Sequence, residues 1–298
     1  MIGKYKQGFM ESLTVHIARA FCRDGQGGNL AGVVLSTPTS LTSSQKQSIA
    51  TTLNFSETVF LENKASRKYV ATYYTPSTAI DFCGHATVAA FNLLRQEKRV
   101  DDEPIELSTT AGPCTVSFDG DLVFVSQQKP IFGEQVAVEE IALTLGLSAE
   151  DLTESEMTPQ IVSTGLKDIL VPVRDQDTLA RIKPDFPAIK KLSEKYDTVG
   201  MHVFAINSGN SSVVARCRNF APLYDIPEES ATGSSNGALA CYLHKVGKVD
   251  EGHLLFQQGD VLNLPSDIHV KLSVDKDGTT SVICGGKVVL DEIREMKC

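Results

Sequence analysis

A chain of 298 residues with 42% hydrophobic and 22% charged residues has globular composition and is long enough for a substantial core, in one large or two ordinary domains. Its 28 basic and 37 acidic residues give a net charge of −9 with no polybasic run and no basic face with interleaved aromatics, so nucleic acid and anionic membranes are poor partners. No apolar stretch approaches the roughly 20 residues that span a bilayer, Met1 to Gln7 has no signal-peptide core, and the seven cysteines (22, 83, 114, 217, 241, 284 and 298) are odd in number and scattered, which together predict free thiols in a cytoplasmic setting.

Residues 1 to 11 read as a loose leader. The first strong pattern is a strand from Leu13 to Ala20, followed by the glycine-rich bend Gly25-Gln26-Gly27-Gly28-Asn29 and a second apolar run, Leu30 to Leu35. The bend lies between two strands and lacks the Gly-Lys-Ser/Thr ending of a phosphate-binding loop, so a nucleotide site is not expected. Asn29 is either a turn residue or a polar side chain reaching into a cleft. A helix with Ile49, Ala50 and Leu53 inward ends at Asn54.

The strand Phe55 to Leu61 places Glu57 on the same face as Phe55, Val59 and Leu61. A carboxylate on an apolar face loses hydration, and such a group becomes a usable proton acceptor or donor near neutrality. The other readings are a solvent-exposed sheet edge or a basic partner. After the β-rich run Lys68 to Tyr74, Pro76 ends the strand, and the turn Asp81-Phe82-Cys83-Gly84-His85-Ala86-Thr87 opens a buried helical pattern through Leu94. Free N–H groups at a helix start carry the positive end of its dipole, and Gly84 lets an anion, most simply a carboxylate, come close. His85 either holds the turn or donates to the substrate. Strands at Ile105 to Leu107 and Cys114 to Phe118 precede a tight turn at Asp119-Gly120 into Leu122 to Val125.

The run Gln127 to Pro130 loses periodicity and marks the boundary between a first half, 1–127, and a second, 128–285, with the chain beyond about 286 free to return to the first half as a strand. The second half reads as a helix from Val138 to Leu145, strands at Ile161-Val162 and Asp168 to Val173, and a helix from Asp185 to Tyr196. Paired strands follow at Met201 to Asn207 and Ser212 to Phe220, and short ones at Leu254 to Gly259, Ile268 to Val274 and Thr280 to Cys284. Between them, Ser230-Ala231-Thr232-Gly233-Ser234 opens another helical pattern. Gly233 stands 149 positions after Gly84, half of the 298-residue chain, and Phe220-Ala221-Pro222 precedes it much as Tyr74-Thr75-Pro76 precedes Gly84. The unit is duplicated, and two facing helix starts would form a cleft with anion-binding donors on both walls.

Glu57 from one half and Glu228-Glu229 from the other put carboxylates beside this small-acid cleft, the parts needed to move a proton next to a carboxylate or carbonyl. No cofactor is required. No lysine is a visible Schiff-base candidate, Cys83-Gly84-His85 is too close in sequence for a ready ligand pair, and no metal is expected. The second turn has Ser230-Ala231 where a second thiol would stand, so a two-cysteine mechanism fails and Cys83 reads as a small buried residue.

Taken together, Gly28-Asn29-Leu30-Ala31-Gly32, Phe55-Ser56-Glu57-Thr58-Val59-Phe60, Tyr74-Thr75-Pro76, Cys83-Gly84-His85-Ala86-Thr87 and Glu228-Glu229-Ser230-Ala231-Thr232-Gly233-Ser234 resemble the PhzF-like phenazine-biosynthesis isomerase family, which shares its duplicated architecture with diaminopimelate epimerase. The resemblance implies an α+β fold of two pseudo-repeated domains, each a curved mixed sheet or barrel around a central helix, with the active site between them, and a homodimer. It implies a cofactor-independent isomerase of the trans-2,3-dihydro-3-hydroxyanthranilate type, with Glu57, His85 and Glu229 catalytic and Asn29, Ser56, Gly84, Ala86, Thr87, Gly233 and Ser234 binding a small carboxylate-bearing substrate. Where the family has Glu-Asp-Pro this chain has Glu228-Glu229-Ser230, so Glu229 takes the aspartate's place. The alternatives are an epimerase or racemase of an amino-acid-like substrate and a non-catalytic small-acid binder.

Overall fold

The computed structural model describes residues 12–35, 41–207, 211–278 and 280–297; the expected leader at 1–11 and Cys298 lie outside the described residues. The chain runs through β1 (Ser12–Ala20), β2 (Asn29–Val34), α1 (Ser43–Leu53), β3 (Glu57–Ala65), β4 (Lys68–Tyr74), β5 (Ala79–Ile80), α2 (Gly84–Gln96), β6 (Ile105–Thr109), β7 (Gly112–Asp119) and β8 (Leu122–Ser126). It continues with β9 (Ile131–Gln135), α3 (Val138–Ala142), α4 (Glu150–Thr153), β10 (Gln160–Ser163), β11 (Lys167–Pro172), α5 (Gln176–Ala180), α6 (Phe186–Tyr196) and β12 (Gly200–Ile206). The last elements are β13 (Val213–Ala221), β14 (Ile226–Glu229), α7 (Gly233–Lys245), β15 (Gly252–Gln258), β16 (Ser266–Val274), β17 (Thr280–Gly286) and β18 (Val288–Lys297).

The duplication appears in the strand directions. Among the described residues the parallel pairings are β2 with β3 and β4 with β6, then β11 with β12 and β13 with β15; the remaining strand pairs are antiparallel. A parallel pair needs a crossover, and helices supply each one: α1 and α2 in the first half, α5 with α6 and then α7 in the second. The fold is α+β, two similar halves of curved mixed sheet each wrapped around one central helix. α2 is buried from His85 through Leu94 and α7 at Gly233 and from Ser235 through Leu243, which is why both segments carry mostly small or apolar residues around their circumference.

The two central helices share one apolar core, in which Val88, Phe91 and Leu94 of α2 and Ala238, Leu239 and Leu243 of α7 are sealed from water. A second cluster, Ile141, Leu145, Ile169, Ile189 and Val203 among others, lies under α3 to α6, and a third, including Leu13, Ile49 and Phe60, lies under α1. The halves are joined by β8 with β17, and β18 returns to run antiparallel along β1.

Local signals act as the sequence leads one to expect. Thr42 and Gln45 form a reciprocal cap at the start of α1 and Asn54 closes it in the left-handed region. The β7–β8 hairpin pairs Asp119 with Leu122, so its two-residue turn is Gly120-Asp121, one position later than Asp119-Gly120. Among the described residues no helix is long and apolar enough to cross a membrane, and Cys22, Cys83, Cys114, Cys217, Cys241 and Cys284 are free thiols.

Candidate active site

The site forms where β2, β3 and β14 begin or end against the first turn of α2. Gly28 has φ 78°, and a Cβ there would come 2.6 Å from the carbonyl oxygen of Ala20, so the bend before β2 needs glycine. That bend sets Asn29 at the head of β2, buried and pointing inward. Glu57 heads β3 on the face that meets α2 and is only 5% exposed. Its Oε2 stands 3.2 Å from Nε2 of His85, yet the angle makes no hydrogen bond, and Oε2 is buried with no hydrogen-bond partner among the described residues. A buried polar atom without a hydrogen-bond partner calls for an explanation.

The other side of the imidazole meets the second half. Nδ1 of His85 lies 3.3 Å from Asn29 Nδ2, 3.3 Å from Cys83 Sγ and 3.8 Å from Glu229 Oε1. Asn29 Nδ2 donates to Glu229 Oε1 at 2.8 Å and to the carbonyl of Ala231 at 3.3 Å, so Asn29 is a polar bridge between the halves and not merely a turn residue. Thr232 donates its hydroxyl to Glu229 Oε2, and Gln258 Nε2 donates to the Glu229 carbonyl at 2.7 Å and to Thr232 Oγ1 at 3.1 Å. Glu228, the neighbour on β14, turns away into a two-pronged pair with buried Arg218, both contacts 2.8 Å.

These surroundings set the charges. Burial first, and the neighbouring charge of Glu57 second, push the Glu229 carboxyl up to about 8, so it is protonated at neutral pH. Burial lowers the His85 pKa and the charge of Glu57 opposes this, which leaves a neutral imidazole between two carboxyl groups. Behind the start of α7, buried Asp168 accepts from Ser235 Oγ at 2.5 Å and is pushed by burial up to about 6.

The remaining expected positions divide. Gly84 and Ser234 are half-buried in the first turns of α2 and α7, Gly233 and Ala86 are buried there, and no side chain caps either helix start. Ser56 is half-buried and its hydroxyl donates to the Leu30 carbonyl at 3.4 Å. Thr87 faces the protein: its hydroxyl is bonded at 2.7 Å to both the Cys83 carbonyl and the Tyr73 hydroxyl, so it fixes the helix start from behind. Gln258 and Thr232 were missed by sequence reasoning. A glutamine closing the apolar strand Leu254-Leu255-Phe256 was the available signal, and it is 1% exposed.

Three metal-ligand atom types, from Glu57, Cys83 and His85, lie within 4.8 Å of one another. Folding thus assembles a trio that the Cys83-Gly84-His85 spacing did not announce. Burial, and then the charge of Glu57, drive the Cys83 thiol well above its ordinary range, so without a cation beside it Cys83 is a protonated thiol.

The family described as phenazine biosynthesis-like protein, PhzC-PhzF, matches residues 18–292. The chain belongs to this family. Among curated relatives, an uncharacterised isomerase of Clostridium acetobutylicum is 31% identical over 284 residues, covering 91% of this chain and 93% of the relative. An uncharacterised isomerase of Deinococcus radiodurans is 35% identical over 271 residues, covering 87% of this chain and 86% of the relative. The solved PhzF-family protein of Bacillus anthracis superposes with a TM-score of 0.87 at 24% identity, covering 97% of this chain and all of that one, a likeness of fold. A probable proline racemase of Agrobacterium radiobacter has a TM-score of 0.65 at 11% identity over 95% of this chain and 92% of that one, again a likeness of fold. This family member is an enzyme of the isomerase class.

Proposed function

We propose that the protein moves a proton within a small carboxylate-bearing substrate, without a cofactor, in the manner of a trans-2,3-dihydro-3-hydroxyanthranilate isomerase. The observation that carries this is the buried Oε2 of Glu57, which has no hydrogen-bond partner among the described residues and lies beside a neutral imidazole. The substrate carboxylate accepts from the uncapped N–H groups at the starts of α2 and α7, so negative charge developing next to it is tolerated. Glu57 takes a proton from one carbon as the double bond shifts. A C–H bond then forms at another carbon, with the proton returned by Glu57 itself or by Glu229 through His85, in which case the proton on Glu57 passes back through His85 to Glu229 to restore the site, and no electrons leave the substrate.

The test is incubation of trans-2,3-dihydro-3-hydroxyanthranilate in deuterium oxide. Wild type incorporates deuterium, and Glu57→Gln abolishes incorporation while substrate binding stays nearly intact; unchanged exchange in the variant removes Glu57 from the mechanism. An epimerase reading draws on Glu229, which meets the opposite nitrogen of His85 from Glu57, and product that retains its configuration counts against it. A pure binder would hold carboxylates tightly with no proton exchange at any pH. The division at 127 and 128, a homodimer and a cytoplasmic location belong to the same reading.

A further inference from the structure

Gln258, the last residue of β15, is sealed from water and uses its whole amide. Its nitrogen donates to the Glu229 carbonyl at 2.7 Å and to Thr232 Oγ1 at 3.1 Å, and its oxygen accepts from the Thr232 backbone N–H at 3.2 Å and from Asn236 Nδ2 at 3.0 Å. A backbone carbonyl can only accept and a backbone N–H can only donate, so the amide has one possible orientation. The Thr232 hydroxyl therefore receives an N–H, and its own hydrogen goes to Glu229 Oε2, 2.5 Å away.

A second amide is fixed in the same way. Asn29 Nδ2 donates to the Ala231 carbonyl, so it is the nitrogen end of Asn29 that lies 2.8 Å from Glu229 Oε1 and 3.3 Å from His85 Nδ1. Nδ1 thus faces a donor, and a neutral imidazole in that place keeps its lone pair at Nδ1 and its hydrogen at Nε2. In a protonated carboxyl the strong acceptor is the carbonyl oxygen, and the short bond from Thr232 gives that role to Oε2. Oε1 keeps a lone pair for the longer Asn29 contact and stands 3.8 Å from Nδ1.

We propose that Gln258 is a positioning residue for proton delivery: by donating to Thr232 it makes that hydroxyl a donor to Oε2, so the proton of Glu229 sits on Oε1, on the side of His85 Nδ1. Without the amide, Thr232 Oγ1 is open to accept from the acid, whose proton then turns to Oε2 and away from the imidazole. Gln258 acts on the carboxyl through Thr232. The inference rests on the proposed function in one point, that Glu229 passes its proton through His85.

Infrared difference spectra against Glu229→Gln isolate the protonated carboxyl of Glu229, and the loss of its C=O band as pH rises gives a midpoint, about 8 in wild type. The Thr232 hydroxyl favours the anion, so Thr232→Val raises the midpoint by about one pH unit, and Thr232→Ser restores it. Gln258→Met raises it as well, and the double variant of Gln258→Met with Thr232→Val shifts no further than Thr232→Val alone. The titratable groups that Glu229 faces, Glu57 on β3, Cys83 and His85 at the start of α2 and Asp168 on β11, are the same in all of these proteins. In wild type at pH 7, nitrogen-15 NMR finds the hydrogen of His85 on Nε2. An unmoved midpoint in Thr232→Val or Gln258→Met, shifts that add in the double variant, or a hydrogen on Nδ1 overturns the inference, and the last reading stands even where Gln258→Met fails to fold. The two readings fail separately: these midpoints without deuterium exchange sink the isomerase reading alone, and exchange with unmoved midpoints sinks only the role of Gln258.

Discussion

Replacing Glu229 with glutamine removes a carboxyl that burial, and then the charge of Glu57, carry from the usual value near 4.5 up to about 8. Over that interval the folded protein keeps a proton that the unfolded chain has released. Glu229 therefore contributes full stability below about pH 4.5, and the contribution is lost as pH rises toward 8, at about 1.4 kcal/mol for each pH unit. The whole interval is worth about 5 kcal/mol, a large part of the stability of an ordinary protein. Glutamine keeps the local contacts, since its amide oxygen accepts from Asn29 Nδ2 and its amide nitrogen donates to Thr232 Oγ1, and it has no proton to lose. Urea unfolding of both proteins at steps from pH 5 to 8.5 measures the effect. The advantage of Glu229→Gln over wild type grows with pH toward about 5 kcal/mol and levels off above pH 8. In a Glu57→Gln background the growth ends at lower pH, because the second cause of the shift is gone. A difference that stays flat across the range refutes the claim that the native state holds Glu229 protonated.

Two further outcomes follow from neighbouring residues. Cys83→Ala retains deuterium exchange, because burial keeps that thiol from ionising near neutrality; loss of exchange to the level of Glu57→Gln would make the thiol the base. Arg218→Met strands the Glu228 carboxylate without its two 2.8 Å contacts and costs about 3–5 kcal/mol in urea unfolding. A loss below about 1 kcal/mol would mean that the pair behaves as a surface ion pair.

The helix starts were legible because their signals are local: a glycine after an extended run, small residues, then helical periodicity. Strand parity placed Glu57 with Val59 and Leu61 on one face but left open whether that face was a solvent-exposed edge; it is buried because β3 is covered on both faces from Glu57 to Leu61, with Val59 and Leu61 in the core that α2 shares. Its basic neighbour was not legible, because His85 reaches it only through the tertiary packing of α2 on β3. The pair Glu228-Glu229 was legible as acidic but not as divided. Alternation along β14 sends Glu228 to Arg218 and Glu229 to Asn29, and the sequence alone gives no register between β13 and β14. Gln258 and Asp168 escaped for the same reason, since their partners Thr232 and Ser235 lie 26 and 67 residues away in the chain.

The duplication explains the helix starts and leaves the acids unexplained, and the difference is informative. Strand register makes Gly200 the counterpart of Glu57: Ala31 pairs with Glu57 and Thr58 with Tyr74, as Asp168 pairs with Gly200 and Met201 with Phe220. A Cβ at Gly200 would fall 1.9 Å from the Phe220 carbonyl oxygen, so the second half can hold no side chain at that position. Glu229, stepped back by the 149 residues that separate Gly233 from Gly84, falls on Ile80. The two halves therefore present matching amide donors and unmatched acids. A racemase that attacks a carbon from two faces is served by a symmetric pair of bases; here the buried Glu57 carboxyl at one strand head and a protonated carboxyl from a different element share one neutral imidazole. That asymmetry favours moving a proton between two sites of the substrate over inverting one centre.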